Sequence, residues 1–102
     1  MKTTRVLQIE RDSLAAFCRR HHIRRLALFG SVLRRDFRPD SDVDVLVEFE
    51  PGHTPGLAFF EMQEELAAIF GRNVDLVEKR SLRNPFRRHA ILTSARLVYA
   101  HE

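Results

Sequence analysis

The sequence predicts a single α/β domain over residues 1–102, with helices flanking a mixed sheet. Three observations predict it. Segments of helical period alternate with short segments of strand period. The chain has the length of one compact domain, 102 residues. At 44% hydrophobic and 30% charged residues it has enough apolar material for a core and too mixed a pattern for wholesale disorder.

Along the chain, Asp12 or Ser13 is the expected cap of a first helix, with Leu14, Phe17, Cys18 and His21 at i, i+3, i+4, i+7 on one face. Arg25 to Phe29 reads as a short strand stopped by Gly30-Ser31. Val43, Val45 and Val47 alternate along a second strand from about Asp42 to Phe49. Both are expected at the centre of the sheet. Glu50 to Gly56, EPGHTPG, reads as a mobile loop because it holds two prolines and two glycines. Phe59, Met62, Leu66, Ile69 and Phe70 form a helical stripe that ends at Gly71, which tolerates positive φ. Val74 to Val77 supplies a third strand. Asn84 is expected to cap a last helix with Pro85 in its first turn and Phe86, Ala90 and Ile91 inward. Arg96 to Tyr99 fits either a closing strand or a frayed tail.

Charge and composition exclude some functions. A net charge of +3 favours polyanions of any kind without choosing among them, and most arginines are expected only to solvate the surface. The lone Cys18 cannot form an internal disulfide, and no Cys/His spacing matches a zinc site, so a reducing cytoplasm fits. The N-terminus lacks an apolar signal region and no apolar run could span a bilayer, so no membrane association is expected. The adjacent pair His21-His22 diverges by about 100° on a helix, and the reading assigns it no metal. Cys18, on the apolar stripe, reads as a buried structural thiol.

The informative stretch is Leu28 to Glu48, LFGSVLRRDFRPDSDVDVLVE. Asp42 and Asp44 share one face of their strand, roughly 6–7 Å apart. Two like charges at the start of a strand are locally unfavourable unless a cation neutralises them. Oxygen ligands without thiolate or a well-placed histidine favour magnesium or manganese over zinc. Gly30-Ser31 adds a sharp turn whose backbone N–H groups and hydroxyl can meet a phosphate. Arg34 lies between that loop and the acidic strand, where nucleotide contact and simple solvation are both open readings. Glu48 shares the strand parity of the aspartates but sits roughly 13 Å beyond Asp44 and is not expected to be a ligand. Asp75 alternates with Val74 and Leu76 on a strand that would join the cluster if it lies beside the second strand; a solvent-facing edge position is the other reading.

Gly-Ser, ten residues, then Asp-x-Asp resembles the GSx10DxD signature of the DNA polymerase beta-like nucleotidyltransferase superfamily, particularly its minimal nucleotidyltransferase (MNT) branch. LALFGS, Arg34, PDSDVDVLVEF, the helix near Phe60 to Phe70, and NVDLVE extend the likeness over most of the chain. Arg35 departs from it, standing where many MNT sequences have glycine. The resemblance implies a polymerase beta-like fold and a magnesium-dependent adenylyltransferase that moves AMP from ATP to a hydroxyl of a partner protein. It implies that Gly30, Ser31 and Arg34 contact the nucleotide and that Asp42, Asp44 and Asp75 are the catalytic, metal-binding carboxylates, with two magnesium ions or manganese in their place. MNT proteins are commonly paired with HEPN-type toxins, so the resemblance also implies an antitoxin of a toxin-antitoxin module. Two alternatives remain: an antitoxin or assembly subunit that acts only by covering its partner, and a basic nucleic-acid-binding module built on Arg83, Arg87 and Arg88. Clustered carboxylates disfavour both, and nucleic acid is not expected as the main partner.

Overall fold

A computed structural model describes residues 10–30, 42–53 and 55–101. The elements run α1 (Arg11–Arg20), β1 (Ile23–Phe29), β2 (Val43–Phe49), α2 (Ala58–Phe70), β3 (Val74–Glu78), α3 (Pro85–Ser94) and β4 (Arg96–Ala100), with a 3-10 turn at Lys79–Ser81. The strands form one sheet in the order β3-β2-β1-β4. β1 pairs antiparallel with β2 and β4, and β2 pairs parallel with β3. Parallel neighbours need a crossover, which α2 supplies. The expected mixed sheet flanked by helices is therefore present, with β1 and β2 central, and Arg96–Ala100 is a strand rather than a tail.

The two faces of the sheet differ. Val43, Val45 and Val47 of β2 point with Leu26 and Leu28 toward α1 and α2, where they meet Leu14, Phe17, Cys18, Met62 and Leu66 in the main core. Gln63 of α2 accepts from the Leu76 N–H (2.9 Å), which satisfies a backbone donor of the edge strand β3. α2 ends at Gly71 with φ 71°, the left-handed stop its position requires. The opposite face carries a smaller cluster of Ala27, Phe29, Leu46, Leu82 and Ile91.

Two local expectations need correction. The cap of α1 is Glu10, whose carboxylate accepts from the Ser13 N–H (2.9 Å), not Asp12 or Ser13. The longer glutamate reaches the third helical N–H that a serine or aspartate cap would otherwise satisfy. In α3 the Asn84 cap stands, accepting from the N–H groups of Phe86 and Arg87, but only Ile91 is buried while Phe86 is 86% exposed and Ala90 also faces outward. At about 100° per residue, Phe86 lies roughly 140° around the helix from Ile91, so the two cannot share a face. No helix among the described residues is long and apolar enough to cross a membrane.

Candidate active site

Strand register builds the site. Phe29 of β1 stands opposite Asp44 of β2, and Asp44 is in register with Asp75 of β3. Side chains in register across neighbouring strands point to the same face, so Phe29, Asp44 and Asp75 form one row. The next row is Leu97, Ala27, Leu46 and Val77, and the one beyond pairs Arg25 with Glu48. Asp42, two residues before Asp44, shares its parity, and the Val43 N–H donates to the Asn73 carbonyl (2.9 Å), which ties the entries of β2 and β3 together. Adjacent strands lie roughly 5 Å apart, so strand register and parity place the three aspartates on one face at this end of the sheet. Asp44 is half-buried, and Asp42 and Asp75 are exposed.

Gly30 closes the patch from the β1 side. Its φ is 78°, and a Cβ placed on it would come within 2.2 Å of Asp44 Oδ2. Only glycine combines this left-handed backbone with so close an approach to the carboxylate. Ser31 and Arg34, the other expected nucleotide contacts, lie outside the described residues, as does Arg35.

Glu48 is committed elsewhere. Its Oε1 is 3.1 Å from Arg25 and 3.6 Å from Lys79. Partial burial pulls its carboxyl upward, but the hydrogen bond from Arg25 and the charges of Lys79, Arg25 and Arg24 outweigh it and hold the group below the usual range. The row of Ala27, Leu46 and Val77 separates this ionic cluster from the aspartates. Burial pushes the Cys18 thiol up to about 12, as expected of a structural core thiol.

One grouping escaped the reading of the sequence. His22, Glu50 and His53 each bring a potential ligand atom within 4.8 Å of the others. The available signal was EPGH, a turn sequence that returns a histidine to a glutamate; its link to His22 depends on strand pairing. This grouping sits beyond the other end of β1 and β2, roughly 20 Å from Asp44 by strand rise.

Comparison with known proteins adds four likenesses. A family model described as "Nucleotidyltransferase domain" matches residues 11–98. The protein adenylyltransferase MntA of Thermococcus cleftensis is 46% identical over 66 residues, which span 64% of this chain and 65% of that relative. The solved structure of a provisionally named minimal nucleotidyltransferase is 39% identical and superposes with a TM-score of 0.68 over 83% of this chain and 85% of that one. A Shewanella oneidensis complex of a tri-AMPylated HEPN toxin with an MNT antitoxin shares the fold alone, at 22% identity and a TM-score of 0.63 over 89% of this chain and 70% of that one.

Proposed function

The chain belongs to the nucleotidyltransferase domain family, an enzyme family in which its relatives include a named protein adenylyltransferase, and on that premise we propose that it transfers AMP from ATP to a hydroxyl of a partner protein. The observation that carries the proposal is the row joining Asp44 to Asp75 across β2 and β3, closed by Gly30 against Asp44.

The donor set suits magnesium or manganese: three carboxylates, no nitrogen or sulfur ligand among them, and a glycine that leaves room against the central one. Asp42, Asp44 and Asp75 would hold the ion or ion pair, which when bound would supply the positive charge that a triphosphate and its leaving pyrophosphate require. Gly30, with no side chain against Asp44, leaves room for a phosphate, and Ser31 and Arg34 are proposed to contact the nucleotide. Asp75, at the exposed edge of the row, accepts the proton of the acceptor hydroxyl as its oxygen bonds to the α-phosphorus and the bond to the β-phosphate breaks. Phe29, opposite Asp44 on the neighbouring strand, and Leu46 belong to the buried cluster on the same face of the sheet.

The proposed acceptor is a HEPN-type toxin, which makes the chain an MNT-type antitoxin acting in the cytoplasm. The likeness of the fold to the MNT partner of an AMPylated HEPN toxin supports this reading. The test is intact-mass measurement of a HEPN-type protein that co-purifies with this chain, incubated with magnesium and ATP. The partner is expected to gain AMP with the wild-type chain and none with Asp42→Asn/Asp44→Asn. Neutralisation of the toxin by that variant, without added mass, would instead favour an antitoxin that acts by covering.

A further inference from the structure

We propose that His22, Glu50 and His53 form a second metal site, for a transition metal of the zinc class, at the end of the sheet opposite the aspartates. Two chain segments meet there through backbone contacts. His22 immediately precedes β1 and Glu50 immediately follows β2, and the Glu50 N–H donates to the His22 carbonyl (2.9 Å). His53 is returned to Glu50 by a tight turn in which the His53 N–H donates to the Glu50 carbonyl (3.1 Å). Pro51 and Gly52 occupy its two central positions, and Gly52 has the φ of 85° that a type II turn demands of its third residue. The side chains of residues on opposite strands are thereby gathered by geometry that the backbone fixes.

The donor set is two imidazoles and one carboxylate, the combination that suits zinc, nickel or copper rather than magnesium. The ligand atoms lie within 4.8 Å of one another, whereas bonds of about 2.0–2.1 Å to a tetrahedral zinc ion place ligand atoms roughly 3.3 Å apart. Rotation of His22 and His53, both exposed, supplies that contraction. The two rings now stack at 3.9 Å with 15° between their planes, which keeps them adjacent; because an imidazole lone pair lies in its ring plane, the stack must open as the two nitrogens turn to one ion. Glu50 is oriented by a further residue: Nδ1 of His101, just past β4, lies 2.8 Å from Glu50 Oε2. Such a partner to a ligating carboxylate fixes its direction. His22 itself is held at φ 58°, a conformation that asparagine tolerates better than most residues, which gives a conservative replacement.

A metal here would pin the start of β1 to the end of β2, with β4 tied in through His101. Because three ligands leave a coordination position open, a water or a side chain of a partner can complete the site. It is chemically separate from the aspartate patch: oxygen donors and magnesium at one end, imidazoles and a zinc-class ion at the other.

The experiment is calorimetric titration of the full chain, carrying no polyhistidine tag, with zinc chloride in the presence of millimolar magnesium, followed by cobalt titration read by visible absorption. One equivalent of zinc is expected, with a cobalt spectrum of a four- or five-coordinate nitrogen and oxygen site. Saturating zinc should raise the melting temperature by about 5 °C. His22→Asn and His53→Gln should each weaken binding about tenfold or more, while Asp44→Asn leaves it unchanged. His53→Gln should keep AMP transfer, because His53 takes no part in that reaction. Absence of saturable zinc uptake by a folded wild-type chain would overturn the proposal. So would uptake that Asp44→Asn abolishes and His53→Gln leaves intact.

Discussion

Gly30→Ala isolates the one position where backbone conformation and the proposed chemistry meet. Two costs arise from the structure. A φ of 78° holds the residue in the left-handed region, which costs an alanine about 1–2 kcal/mol. The new Cβ, at 2.2 Å from Asp44 Oδ2, must also drive that carboxylate out of its position. Since the atom struck is the end of a rotatable side chain, the displacement costs about 0.5–1.5 kcal/mol rather than preventing folding. Alanine's smaller unfolded-state entropy returns about 0.4–1 kcal/mol. The net loss is about 0.5–3 kcal/mol, centred on about 2, which for a domain of this size lowers the melting temperature by about 10 °C. Thermal unfolding followed by circular dichroism measures it. A second comparison separates the two costs: introduced into an Asp44→Ala background, Gly30→Ala should lose the part due to the collision and keep the part due to φ. Transfer activity should fall far more than stability does, because the displaced group is the carboxylate proposed to hold the metal. Gly30→Ala with wild-type stability would show that neither the left-handed φ nor the Asp44 contact constrains this position, and equal costs in the two backgrounds would show that the Asp44 contact does not.

Other expectations test the surroundings. Glu48 titrates below its usual value in the folded chain, so its contribution is complete above the unfolded pKa of about 4.3 and is lost as pH falls through the lower folded value. Glu48→Gln should therefore cost about 0.5–1 kcal/mol at pH 7 by urea unfolding, and the difference should close below about pH 4. Cys18, buried and with its thiol pushed up to about 12, should resist disulfide reagents at pH 8 until the chain unfolds; rapid labelling of folded protein would contradict its place in the core. The corrected face of α3 makes Ile91→Ala destabilising by about 2 kcal/mol or more and Phe86→Ser neutral within about 0.5 kcal/mol, and denaturant midpoints would reveal a reversed order.

Much of this architecture is legible in the amino-acid order because local rules and tertiary packing agree. The alternation of Val43, Val45 and Val47 sets the faces of β2, and the stripe of Met62, Leu66 and Phe70 sets the buried side of α2. Asn84-Pro85 marks the start of α3 and Gly71 the end of α2, each through a hydrogen-bonding or φ requirement of one residue. The same reading goes astray where local cues compete. Glu10 caps α1 although shorter, better capping residues follow it, and Phe86 turns outward although it is the largest apolar residue of its helix. Strand order is a long-range property. Nothing local states that Asp75 lies in register with Asp44, or that β4 returns to β1. For that reason the convergence of His22, Glu50 and His53 was invisible in the sequence, whereas Asp42 and Asp44, two residues apart on one strand, were not.

The central claim is that Asp42, Asp44 and Asp75 act as one metal and nucleotide site. Its most direct test is calorimetric titration of the chain with ATP, with magnesium and with EDTA, for the wild type and for Asp42→Asn, Asp44→Asn and Asp75→Asn. The account expects ATP affinity to depend on magnesium in the wild type and to fall about tenfold or more in each folded variant. ATP binding of equal strength with and without magnesium, or binding that all three substitutions leave unchanged, would contradict it.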